Sequence, residues 1–215
     1  MRSANRPTTA IQKKKGDAGK EAGAGTRLCF SAPLHRPSAT GKPPTWTFLT
    51  LPTQASAKLP SRGQVTVEGT LNGRPFQATL EPDGQGGHWL KVDRKLREAA
   101  AASPGDVVEL EIAPVSVEPE PKVPPDLRKA LAAAPPKARE AWSDITPAAR
   151  RDFVFWIVSA KQAETRARRI ATACDMLAKG KRRPCCLDRS GMYARSLSCP
   201  VPEDPSNFRR RDAGQ

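Results

Sequence analysis

Polar and apolar positions alternate with period two over Val65–Leu71, where Val65, Val67 and Gly69 interleave with Thr66, Glu68 and Thr70. That pattern, rich in β-branched residues, predicts a half-buried strand. Asn72-Gly73 follows, the dipeptide that best accepts positive φ at both centres of a tight hairpin turn. Phe76, Ala78 and Leu80 then alternate with Gln77 and Thr79 as the returning strand, which Glu81-Pro82-Asp83-Gly84 ends with turn chemistry. Trp89–Val92 reads as a third short strand. Asp93 is placed to cap a short helix over Arg94–Glu98, and Pro104-Gly105-Asp106 turns the chain into a last strand with Val108, Leu110 and Ile112 on one face. Trp46, Phe48, Leu49 and Leu51 supply the first strand of the set.

Strand, hairpin, strand, short helix and strand make a small closed barrel, in which closure removes exposed edges. The period then changes. After the Pro-rich run APVSVEPEPKVPP, apolar residues recur at three-to-four spacing. Asp126 is placed to cap a helix with Leu127 and Leu131 on one face, and Pro135-Pro136 stops it and starts the next. A third helix follows Thr146-Pro147, with Ala149, Phe153, Trp156, Ile157 and Ala160 as its stripe. A fourth spans about Ala163 to Lys179, with Ala167, Ile170, Cys174 and Leu177 inward and Gly180 just past its end.

The fold class predicted is α+β: a small closed β-barrel followed by a separate all-α helical module. The expected divisions are a disordered basic extension over 1–44, a barrel over 45–119, a Pro-rich linker over 120–125, helices over 126–183 and an irregular tail over 184–215. Composition supports the unpacked segments, since the 215 residues include 22 prolines and only 5% aromatics.

The net charge of +14 is unevenly spread. Residues 1–44 carry nine basic and two acidic groups, residues 45–121 seven and ten, and residues 122–183 fifteen and six. The barrel is mildly acidic and the helical half strongly basic, and a basic surface attracts polyanions by counterion release. The densest cationic group is Arg166, Arg168, Arg169, Lys179, Lys181, Arg182 and Arg183. It is the candidate polyanion site, for nucleic acid or an acidic protein surface. The plain alternative is a solvated face, and cations near a helix C-terminus also complement its dipole.

Other constellations are weaker. His88 and Trp89, beside the Gly-rich loop Asp83–Gly87, are candidates for a ligand mouth, although an aromatic there more often serves as barrel core. The loop lacks the Lys and Ser/Thr of a phosphate cradle. Ser190 has no histidine near it in sequence, and no nucleophile elbow or HExxH occurs, so no catalytic residue is assigned. Cys185, Cys186 and Cys199 lack the paired spacing of a zinc site, so neither metal nor cofactor is expected. Five scattered cysteines fit a reducing compartment, and no apolar run is long enough to span a bilayer or serve as a secretory core; a cytoplasmic protein without membrane insertion is expected.

VEGTLNGRPFQATL, GGHWLKVDRKLREA and PGDVVELEI together resemble a bacterial barrel family known only as a domain of unknown function. That family often precedes a helical module called YdeI/OmpD-associated. LKVDRKLREA with PGDVVELEI also resembles the swapped-hairpin barrels of AbrB-type transition-state regulators. The half from Asp126 to Pro184, above all Ala138 to Arg183, is similar to the YdeI/OmpD-associated module itself. The resemblance implies a link to bacteriocin protection and stress response. The favoured reading is a non-enzymatic bacterial binding protein. Nucleic-acid association through the helical half, and an enzyme acting on a small molecule at the barrel mouth, are the alternatives.

Overall fold

The computed structural model describes residues 27–39, 44–185, 187 and 198–204. Six strands form one antiparallel sheet: β1 Leu28–Pro33, β2 Thr47–Thr50, β3 Val65–Leu71, β4 Arg74–Pro82, β5 His88–Val92 and β6 Val107–Pro114. Their spatial order is β1-β6-β3-β4-β5-β2. An isolated bridge between His35 and Phe48 brings the chain after β1 against β2, so the sheet curls into a nearly closed barrel. Two short helices, α1 Thr53–Ser56 and α2 Arg94–Ala99, connect strands. Four more follow: α3 Pro125–Ala133, α4 Pro136–Asp144, α5 Pro147–Val158 and α6 Ala163–Ala178.

The alternation read from the sequence fills the barrel. Val65, Val67, Leu71, Leu80, Leu90, Val92, Val108, Leu110 and Ile112 join Leu28, Ala32 and Leu34 in one apolar cluster. Burying side chains of this size contributes about 1.5–3 kcal/mol each before entropy is counted. The hairpin turn has Asn72 at φ 47° and Gly73 at φ 75°. The Asn72 side chain is also anchored, because Glu109 N–H donates to its Oδ1 at 2.9 Å. Asp93 caps α2 by accepting from Leu96 N–H at 2.8 Å.

Several expectations are corrected. The barrel begins inside the segment read as a disordered extension: β1 pairs with β6 from Leu28↔Ile112 to Pro33↔Val107. Leu28 and Ala32 face inward at period two, a pattern too short to stand out from its Gly-, Pro- and Lys-rich surroundings. Residues 1–26 lie outside the described residues. The strand at Thr47–Thr50 is therefore second in order. Trp89 is buried, though not in the barrel interior. It lies on the opposite face of β5 from Leu90, stacked on Trp46 at 6.3 Å and edge-on to Phe48 at 6.2 Å. Asp126 is not a cap; α3 starts after Pro124, and Asp126 lies in its first turn. On α6 the buried residues are Ile170, Ala173, Met176 and Leu177. Ala167 is exposed and Cys174 half-buried.

The tail read as irregular has no regular element among its described residues, yet part of it is held in place. Ser38 N–H donates to Val201 O at 2.7 Å, Glu203 N–H to Arg36 O at 2.8 Å and Cys199 N–H to Asp83 O at 3.4 Å. The chain thus returns from the helices to lie across the barrel.

The helices enclose a second apolar cluster, centred on Leu127, Ile145, Phe153, Ile157, Ala173 and Leu177. No residue belongs to both clusters. The link between the modules is polar. Arg151 of α5 donates to Thr66 Oγ1 at 2.8 Å and Gln64 O at 2.9 Å, and pairs with Glu118. Next to it, Arg150 donates to Trp142 O at 3.0 Å and Ser143 O at 2.9 Å, and pairs with Glu120 at 2.6 Å. The two glutamates fix the Pro-rich segment between the modules.

Candidate functional site

Five of the seven candidate polyanion residues have structural employment. Arg166 makes a two-pronged bond to Asp126, from Nε at 2.6 Å and Nη2 at 3.0 Å, tying α6 to α3. The guanidinium holds the Asp126 carboxyl below its ordinary range, and the carboxylate raises Arg166 in turn. Arg169 donates to Trp156 O and Ser159 Oγ at the end of α5, with its guanidinium 5.5 Å from the Trp156 ring centre. Arg183 pairs with Asp152, a carboxylate in the wall of α5 whose side chain is 3% exposed. Arg182 pairs with Asp144 and Lys179 with Asp175. Those last two pairs are exposed, where such contacts are worth little, so Lys179 and Arg182 remain accessible to a ligand. Arg168 and Lys181 are exposed and have no ion-pair partner among the described residues.

A basic stretch in sequence is thus in good part the module's internal fastening. What faces outward is a different, more dispersed set. Lys122, Arg128, Lys129, Lys137, Arg139, Lys161, Arg168 and Lys181 are all exposed, and none has a carboxylate partner among the described residues. Sequence density pointed to α6 and the residues just after it, whereas the unneutralised charge is spread over α3, α4, α6 and the segments that flank them.

The ligand-mouth pair divides. His88 and Trp89 are neighbours on a strand, so they face opposite sides of the sheet. Trp89 joins Trp46, Phe48 and Lys91, whose Nζ lies 4.8 Å from the Trp46 ring centre. Its Nε1 is buried and has no hydrogen-bond partner among the described residues. Glu81, directly across the ladder from Trp89, is raised by burial, with Lys91 and Arg151 pulling the other way.

His88 points to the other side, where it is 1% exposed. Its Nε2 lies 2.9 Å from Gly63 O and its Nδ1 3.1 Å from Ser56 Oγ. A carbonyl only accepts, so Nε2 carries the proton and Nδ1 presents a lone pair to the serine hydroxyl. Burial lowers the histidine below its ordinary 6.5, with the Gly63 bond opposing. Ser56 is the last residue of α1, and its side chain meets His88 across 32 positions of sequence. Nothing in the linear pattern joins them; the ladder Leu49↔Leu90 and the Leu51 N–H bond to His88 O at 2.9 Å bring them together.

The Gly-rich loop is ordered by one side chain: Asp83 Oδ1 accepts from Gln85 N–H at 2.7 Å and Gly87 N–H at 2.8 Å. Among the described residues no group of three His, Cys, Asp or Glu is placed to hold a metal, and no helix is long and apolar enough to cross a membrane. Cys186 and Ser190 lie outside the described residues. Cys199 is buried enough, and close enough to Asp83, for its thiol to be pushed up to about 11.

Residues 120–180 match the family described as bacteriocin-protection, YdeI or OmpD-associated, and residues 30–112 match a domain of unknown function, DUF1905. No curated protein matches the chain. The two matches coincide with the helical cluster and the barrel: the helical module is similar to the YdeI/OmpD-associated family, and the barrel before it is similar to the domain of unknown function DUF1905.

Proposed function

We propose that this protein acts by binding, in the bacterial cytoplasm, with the helical module as the surface that meets an acidic partner. The family's description connects that module with bacteriocin protection, and a stress-tolerance role is the setting we assign. One observation carries the reading. After internal pairing, the module's remaining cations all face solvent, and they outnumber its exposed unpaired acids, Glu140 and Glu164. Charge that is unpaired within the module and exposed is free to meet a polyanion.

Nucleic acid is the polyanion we would test first, because phosphate contacts give a measurable signature. Log affinity falls with log salt at about −0.9 per phosphate contact on duplex DNA. The full chain, titrated into labelled duplex by fluorescence anisotropy, should bind at low salt and weaken steeply as salt rises. Replacing Arg168 and Lys181 by Gln removes two unpaired charges and leaves Arg166, Arg169 and Arg183 in place to hold the fold. This variant should bind more weakly and with a shallower salt slope. No binding at low salt, or a variant equal to the parent, would reject nucleic acid as the ligand of this surface and leave an acidic protein.

A further inference from the structure

We infer that Ser56 is an activated nucleophile, with His88 as its base, at the floor of a pocket on the barrel that accepts small carboxylic esters. The inference goes beyond the binding reading and stands apart from it, since no residue of the helical module takes part.

The geometry has three links in line. Gly63 O accepts from His88 Nε2 at 2.9 Å, which fixes the tautomer and the ring orientation. His88 Nδ1 then faces Ser56 Oγ at 3.1 Å, inside the range for proton transfer from a nucleophile to its base. Ser56 in turn borders a pocket of about 420 Å³, walled by Leu59, Ser61, Arg62, Gln85 and Gly86, while His88 lies behind the serine and does not line it. That is the order the chemistry needs: a nucleophile bordering the pocket though only 5% exposed, the base in contact with it, and the orienter on the far side of the base. The backbone carbonyl takes the place usually held by a carboxylate. It is itself held, because Gly63 N–H donates to Ser61 Oγ at 3.0 Å. Burial of His88 keeps the imidazole neutral at pH 7, the form that takes up a proton. Arg62 lines the same pocket and brings a permanent positive charge to it, from which an oxyanion formed there would gain.

In the step inferred, Ser56 Oγ bonds to the ester carbonyl carbon as its proton passes to His88 Nδ1, and the carbonyl π pair moves onto oxygen. Collapse re-forms the carbonyl and breaks the bond to the alkoxy oxygen, which leaves as the alcohol with the proton from His88. Water then attacks the acyl-serine by the same route, releasing the carboxylic acid and restoring Ser56.

The test uses the full chain and a fluorophosphonate probe, which marks nucleophilic serines without knowledge of the substrate. One adduct should form, mapped by mass spectrometry to Ser56 and absent from heat-denatured protein. Ser56→Ala should abolish it. His88→Gln should slow it on the order of a hundredfold, the scale of a lost general base. The rate on the parent protein should also fall as acid protonates the imidazole, a readout that holds even if His88→Gln does not fold. No adduct, an adduct on another serine, or a labelling rate indifferent to pH would overturn the inference.

Discussion

Two glycines separated by four positions show how differently the same residue type is required. Gly73 needs only its backbone freedom. At φ 75° a β-carbon would meet nothing within 4 Å, so Gly73→Ala should lower stability by about 1–2 kcal/mol, the strain of a left-handed residue. Gly69 has ordinary φ, yet a β-carbon there would sit 1.9 Å from Glu111 O on the neighbouring strand. Gly69→Ala must push β3 from β6, and a loss of about 3 kcal/mol, the upper end of overpacking, is expected in urea titration. Equal losses at the two sites would mean that the β3–β6 approach is looser than described. The alternation of Val65, Val67 and Gly69 placed Gly69 in a strand but was silent on the clash, because the close approach comes from a strand 40-odd positions away. His88 gives the second residue-scale expectation. Its folded value lies below the unfolded 6.5, so the unfolded chain binds more protons in that interval. Stability from this group is complete above pH 6.5 and declines as pH falls from there through the folded value. Melting temperature against pH should show the decline, and His88→Gln should flatten it.

At the scale of elements, helix ends show what local sequence does and does not encode. The end of α6 has Gly180 at φ 75°, with Gly180 N–H on Leu177 O and Lys181 N–H on Met176 O, both at 2.9 Å. The end of α2 has the same pair of bonds, from Ala101 N–H to Glu98 O and Ala102 N–H to Arg97 O, both at 3.1 Å, but with Ala101 at φ 49°. Gly180 was legible as a stop signal, since glycine accepts this conformation freely. Ala101 was not, because nothing in an alanine run marks one member as left-handed. Ala101→Gly should therefore raise stability by about 1 kcal/mol and Gly180→Ala lower it by a similar amount, relieving and imposing the same strain. The same division runs through the rest of the chain. The Asn72-Gly73 hairpin, the Asp93 cap and the Thr146 cap, which accepts from Ala149 N–H at 3.3 Å, rest on neighbours in sequence and were readable. Strand β1, the Ser56–His88 contact and the pairing of Arg166 with Asp126 rest on partners 32 to 84 positions distant. No local period encodes those contacts, and the basic cluster was consequently read as a surface where Arg166, Arg169 and Arg183 are fasteners.

For the whole molecule the question is what joins two clusters that share no residue. Arg151 is one tie, gripping Thr66, Gln64 and Glu118 from α5. The returning segment 198–204 is the other. It bonds the corner after β1 at Arg36 and Ser38 and the β4–β5 loop at Asp83, and it adds an ion pair between Arg36 and Glu203 at 3.8 Å whose side chains are 26% and 11% exposed. Because it comes after α6, the helical module is flanked on both sides by chain fixed to the barrel. Removing residues 198–215 leaves both apolar clusters complete, so both modules should still fold. The barrel, however, loses three backbone hydrogen bonds worth about 0.5–1.5 kcal/mol each. The truncated protein should therefore lose about 2–4 kcal/mol of barrel stability, with the helical module unchanged. Hydrogen exchange read separately on β2, β5 and α6 distinguishes the two. Faster exchange confined to the barrel strands is the expected result. Unchanged exchange in β2 and β5 would mean the segment rests on the barrel without holding it. Adding Arg151→Ala to the truncation removes the side-chain tie from α5 as well. Limited proteolysis between Pro114 and Pro125 should then yield two fragments that separate on a sizing column, whereas cleavage of the parent in the same segment should leave them together at low salt.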